Sequence, residues 1–266
     1  TRPTREHGLV YSAPIHIGSN TVVRAMATTP GKLPSEHICA TYIIANDLGR
    51  SFCLSLSPSD LWSDSTGIYD PGLFNNNTRS GKAWERDGIV QWSSGRTANV
   101  GVRISGSGSR GARKRSFKLH GRDGSDFSFM DSTHVDEGLL RGDAGAHAFL
   151  RNTTIEELAR RFGLHVAVQP SEAIPLYLNA AYWGLYRWMP AKDCDWLRQR
   201  SGAEALDVLE GPAAVALNGN NDHFLRAQDL LLRGAPLDSI EAVIDTESLI
   251  DLACIDLWTG RADHDL

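Results

Sequence analysis

Cysteine is scarce in this chain and poorly spaced for chemistry. Cys39, Cys53, Cys194 and Cys254 are the only four in 266 residues, and none stands in a C-x-x-C pair or at a Cys/His ligand spacing, which argues against a structural zinc site. They read as buried thiols. The nine histidines form no H-E-x-x-H, and no G-x-S-x-G elbow occurs, so the commonest marks of zinc peptidases and α/β-hydrolases are missing. Positive charge is not in excess. A net charge of −5 is unlike the strongly basic surface of a nucleic-acid binder, and no nucleic-acid partner is expected. Long apolar runs are also missing, so no transmembrane segment is expected, and no charged-then-apolar signal segment opens the chain. The first residue is Thr1 rather than Met, in what reads as the middle of a domain.

What is present suits a globular protein with a real core. Hydrophobic residues make up 41% and charged residues 22%, enough for one large or two modest domains. From Thr1 to Ile44 short apolar runs alternate with turn residues: Val10-Tyr11, Ile15 to Ile17, Thr21 to Met26, Thr41 to Ile44. This is an all-β pattern. A polar break from Asn46 to Arg50 follows, after which Ser51 to Leu56 alternates like a strand entering a second domain. Ser57 to Gly95 is rich in Ser, Asp, Asn and Gly and reads as long loops around Gly67-Ile68-Tyr69 and Trp84-Glu85-Arg86.

The stretch with most chemical content is Gly101 to Leu119. Val102 and Ile104 alternate with polar neighbours before a glycine-rich turn, and Phe117 and Leu119 alternate after it, so a hairpin is expected. The turn carries Gly106, Gly108 and Gly111 as a G-x-G-x-x-G. A dinucleotide fingerprint requires a helix next, and here a strand follows. Strand, glycine loop and lysine-bearing strand is the order in which protein kinases cover nucleotide phosphates, with Lys114 or Lys118 as the cation. The same string also fits a solvated basic hairpin.

Downstream, Thr153 with Glu156, or Thr154 with Glu157, forms a capping box for a helix whose apolar face is Ile155, Leu158, Ala159 and Phe162, ending at Gly163. Either glutamate could orient the lysine of a kinase-like site, or simply cap the helix. Ile174 to Trp188 predicts a second hairpin turning at Asn179-Ala180. From Ser201 onward the periodicity is helical, with a last helix capped near Thr246.

Several of these pieces fall in a familiar order: Gly67 to Tyr69, Trp84 to Arg86, the Gly101 to Leu119 hairpin, Leu139 to Asp143, Arg151 to Leu164, Tyr177 to Tyr186, and Asp251 to Asp263. Together they resemble the spore coat protein H (CotH) kinase family, over most of residues 51–266. Gly8 to Tyr42 resembles the small C-terminal β-sandwich of chitobiases and beta-hexosaminidases. The resemblance implies an α+β protein: a partial sandwich over residues 1–46, then an atypical kinase-like domain over 51–266, with a β-rich N-lobe and the beginning of a helical C-lobe. It implies ATP and Mg²⁺ as cofactors, transfer to protein Ser or Thr hydroxyls, and an extracellular or cell-surface setting with a protein partner, and glycans as a candidate partner of the first module. Gly106, Gly108, Gly111, Lys114 and Lys118 would bind nucleotide, and Asp263 would be the catalytic aspartate.

Three departures stand out. Ala180 replaces the family's turn glycine, Pro190 stands where a glutamate usually follows the second hairpin, and Arg261 stands where Asn is common. The family's metal-binding aspartate would lie beyond Leu266, so residues 1–266 alone are expected to show little or no kinase activity. The alternative is a non-catalytic binding or adhesion module on a kinase-like scaffold.

Overall fold

The structure is a computed structural model that describes residues 3–44, 49–130, 132–143, 150–211 and 213–260. It is a mixed α/β protein with a sheet-rich body. Two compact units divide the chain, the first made of Thr1–Gly145 with Ser171–Pro190 and the second of Ala146–Pro170 with Ala191–Leu266.

The first unit is built on seven strands: β3 (Phe52–Leu56), β4 (Arg86–Trp92), β5 (Thr97–Ser105), β6 (Ser116–Gly121), β9 (Glu137–Arg141), β10 (Glu172–Leu178) and β11 (Ala181–Pro190). They close into a barrel in the order β10-β11-β9-β6-β5-β4-β3, every pairing antiparallel except the β3–β10 seam. Closure leaves no sheet edge, and a barrel this narrow is filled by its own inward side chains. Alternation dictates which they are: Leu54, Val90, Val100, Val102, Phe117, Leu119, Leu140, Ile174 and Leu176 are all at most 1% exposed.

Aromatic rings complete the filling. Trp188 packs on Phe52 at 4.8 Å, edge-on to Phe127 at 5.2 Å, and stacks on Phe129 at 5.0 Å. The two phenylalanines arrive on a short hairpin, β7 (Phe127–Ser128) with β8 (His134–Val135). Gly138 is what admits the indole, because a Cβ there would stand 2.1 Å from Trp188 Cη2.

The seam is locked by the turn between β10 and β11. Asn179 and Ala180 have φ of 49° and 68°, the paired positive values of a type I′ turn. Asn179 donates its N–H to the Leu54 carbonyl and accepts from Leu56 N–H through Oδ1, both at 2.9 Å, extending the parallel pairing by one step. The hairpin expected here therefore forms with alanine in the left-handed region, at a cost of about 1 kcal/mol.

Residues 3–44 contribute one two-stranded sheet, β1 (Thr21–Ala25) with β2 (Ile38–Tyr42). The sequence suggested the remains of a sandwich. The described residues show a single hairpin there, and Val10, Tyr11 and Ile15 lie outside any strand and exposed. The hairpin rests on the barrel through polar bonds: Arg24 Nη2 to the Leu56 carbonyl, and a two-way bond between the Gln91 side-chain amide and the Thr41 backbone.

The second unit holds α2 (Arg151–Arg161), α3 (Cys194–Ser201), α4 (Asp222–Leu232), α5 (Leu237–Glu241) and α6 (Thr246–Thr259), with the hairpin β12 (Val208–Glu210) and β13 (Val215–Asn218); α1 (Pro58–Trp62) belongs to the first unit. Helix α2 starts before its expected capping boxes, at Leu150 with no side-chain cap, so Thr153 and Thr154 are interior. Phe162, expected on its apolar face, is 74% exposed. Helix α6 is capped by Asp245 accepting from Ser248 N–H, one residue before the threonine expected in that role.

Candidate functional site

The expected hairpin of β5 and β6 is present, pairing Ser105 with Ser116, and the glycine loop 106–115 is its connection. Gly106 has φ +109°, and a Cβ there would meet Ser109 Oγ; Gly108 and Gly111 face open space, so an approaching group meets bare backbone. Arg110 stiffens the loop. Its guanidinium bonds back to the Gly106 carbonyl and across to the Arg79 carbonyl, while its own carbonyl accepts from Asn77 Nδ2 at 2.9 Å and Arg115 Nε at 2.8 Å. A shallow open hollow lined by Phe74, Arg79 and Trp84 lies on this side of the loop.

The two candidate lysines have different surroundings. Lys114 precedes β6; its ammonium bonds the Leu185 carbonyl and lies 4.8 Å from the centre of the Tyr186 ring. Burial pulls it below the ordinary lysine value, a pull opposed by the charge of Asp143. Asp143 is itself bound by Arg187 Nε at 2.5 Å and Arg141 Nε at 3.1 Å. Lys118 lies within β6, on the outer wall of the barrel, in an ion pair with Glu137.

That pair belongs to a larger array which the sequence did not reveal. Across the wall the register aligns Asp87 with Gly101, Gly101 with His120, and His120 with Glu137. Gly101 leaves a gap in this row, and the Glu85 side chain fills it: a Cβ at 101 would stand 2.3 Å from Glu85 Oε1. The Glu85 side chain is 5% exposed and bonded by Arg103 Nε at 2.8 Å and by Arg122 Nη2. His120 lies between the two carboxylates, Nδ1 at 2.6 Å from Glu137 Oε1 and Nε2 at 3.9 Å from Glu85 Oε2. Burial pushes the Glu137 carboxyl up, but the hydrogen bonds from His120 and Lys118 outweigh it and bring it down to about 2. Trp84-Glu85-Arg86 had drawn notice only as a string; Glu137 had no local signal, because its role exists only once β9 lies beside β6.

Other expected residues have different duties or fall outside the described residues. Glu157 pairs with Arg160 and Arg161 on the surface of α2. Three residues past Pro190, Asp193 caps α3 by accepting from Trp196 N–H at 3.0 Å. Pro190 is the last residue of β11, in register with Gly138. Asp263 and Arg261 lie outside the described residues, so no distance joins them to either lysine. All four cysteines are free, but only Cys53 is buried, its thiol pushed by burial up to about 11; Cys254 is exposed.

No described helix is long and apolar enough to cross a membrane. Among the described residues no three His, Cys, Asp or Glu converge to hold a metal ion. The acidic side chains of the wall fit that result, since Glu85, Glu137 and Asp143 are each held by arginine, lysine or histidine. A family model described as CotH kinase protein matches residues 102–265. No curated protein matches the chain.

Proposed function

The chain belongs to the CotH kinase protein family, and from that premise we propose that it is a kinase-like phosphotransferase acting between ATP and a Ser or Thr hydroxyl of a protein. What carries the proposal is one wall of the barrel: a stiffened glycine loop with bare backbone at Gly108 and Gly111, followed on the next strand by a lysine fixed by a carboxylate. Loop N–H groups favour anions, and a cation whose position is fixed before the ligand arrives loses little freedom on binding it. Lys118 is the phosphate-directed lysine in this proposal, with Lys114 as a second cation near the loop. Bound ATP would supply the transferable phosphoryl group. Asp263 would accept the acceptor hydroxyl's proton.

Mg²⁺ is the expected companion of such chemistry, and the carboxylates of this wall, Glu85, Glu137 and Asp143, do not fit it, being neutralised by neighbouring cations. The protein partner and the extracellular or cell-surface setting belong to the same proposal. The rival, a non-catalytic binding module on this scaffold, draws support from Pro190, which puts a barrel residue where the family has a carboxylate.

Nucleotide binding is the first test. Fluorescent ATP should bind residues 1–266, and Lys118→Ala should weaken it roughly tenfold or more, as loss of a charge-assisted bond does. Asp263→Ala should leave binding unchanged and remove whatever phosphate incorporation is measured. Absence of ATP binding would favour the rival.

A further inference from the structure

We propose that His120 is a positioning residue: its Nδ1–H holds Glu137 in the orientation that fixes the Lys118 ammonium on the barrel wall. The argument begins with register. His120 and Glu137 face one another directly across β6 and β9, and Lys118 is two residues earlier on the same face of β6. Opposite and diagonal positions are the ones whose side chains meet on a sheet. Glu137 has two oxygens and two donors: Oε1 takes His120 Nδ1 at 2.6 Å and Oε2 takes Lys118. With one oxygen occupied, the carboxylate cannot rotate freely, and the lysine diagonal to it has one anchoring point.

The other side of the ring explains why a histidine suits the position. Nε2 is buried without a hydrogen-bond partner among the described residues, as is Arg122 Nε in the same cluster. Nε2 makes no bond, so the ring's hydrogen bond within this cluster is the one from Nδ1 to Glu137. Glu85 already has Arg103 and Arg122, and the gap of 3.9 Å to His120 leaves the ring to Glu137. The depressed Glu137 carboxyl agrees with this arrangement, staying ionised throughout the neutral range.

The inference refines the phosphotransfer proposal but is tested without it. Lys118 in residues 1–266 is labelled with an amine-acylating reagent at neutral pH, and its rate is read by peptide mass spectrometry. Freeing the ammonium should raise labelling roughly three- to tenfold, the change that one hydrogen bond corresponds to. His120→Phe keeps the volume and loses the donor, so it should show that rise; His120→Asn places an amide N–H near the Nδ1 position and should stay within about twofold of the parent. His120→Gln places its amide nearer Nε2 and should resemble His120→Phe, which keeps the comparison decisive if the phenylalanine variant does not fold. Equal labelling in all variants, or an asparagine variant as reactive as the phenylalanine and glutamine ones, overturns the proposal. Loss of the asparagine rescue refutes positioning, whereas unchanged ATP binding in Lys118→Ala with the rescue intact refutes phosphate binding by Lys118 and leaves the positioning role standing.

Discussion

In the barrel unit Trp188, Tyr186, Phe117 and Phe127 are at most 1% exposed, whereas among the described residues of the helical unit Trp196 is the single large side chain so buried, and Leu257 and Trp258 are 79% and 74% exposed. The helical unit is in fact the richer of the two in apolar residues. The difference lies in closure: a sheet curled into a barrel turns its apolar face onto itself, while an amphipathic helix needs a separate surface to cover its stripe. Counting hydrophobic residues therefore says little about which part of this chain is well packed.

The largest effect should come from removing the barrel's central ring. Trp188→Ala should cost about 3–5 kcal/mol, the range for deleting a buried aromatic, seen as a lower denaturation midpoint by circular dichroism. A loss below 1 kcal/mol would mean that the barrel is not the better-packed unit.

The turn at the seam gives a smaller change of opposite sign. Ala180→Gly should raise stability by about 0.5–1 kcal/mol, because glycine tolerates positive φ and alanine does not, less whatever the buried methyl contributes. An unchanged or lower midpoint would show that the methyl's packing outweighs the strain.

The outer wall should respond to acid. The Glu137 carboxyl is held at about 2 when folded against 4.5 unperturbed, so its contribution is complete above about 4.5 and is lost as pH falls toward 2. The group is only partly buried, so solvent screening reduces the effect. Between those limits the parent should lose stability more steeply than Glu137→Gln; parallel acid profiles would remove the ion pair from the account.

The smallest effect is expected in the helical unit. Trp258→Gln should change unfolding free energy by less than about 0.5 kcal/mol, since the ring is already in solvent. A loss of several kcal/mol would show that the exposed stripe is covered in solution.

How much was legible beforehand follows sequence separation. Alternation marked β5, β6, β10 and β11, and Asn179-Ala180 marked its turn, because each signal lies within a dozen residues. Helix α2 was legible as a helix, but its start was misplaced: Thr153 and Thr154 resemble caps, and chain context begins the helix earlier. The β3–β10 seam could not be seen, because Phe52 meets Leu176 through a pairing no local pattern announces. The same holds for the candidate site: Lys118 was visible as a cation on a strand, but Glu137 and His120 become its partners only through the β6–β9 register. The glycine loop was read from composition; its bracing by Arg110 onto the Arg79 carbonyl was not, because that bond joins residues 31 apart.

The parallel seam also sets a timetable for folding. Strand β3 cannot find its second neighbour until β10 has been synthesised, after the Ala146–Pro170 segment of the other unit. A nascent chain ending near Gly145 therefore carries two unpaired strand edges, on β3 and β9, beside a half-filled apolar interior. Closing so distant a pair is slow, and open edges in that interval are where chains associate with one another. Arrest of synthesis between β9 and β10 should thus be the most aggregation-prone moment in this protein's life.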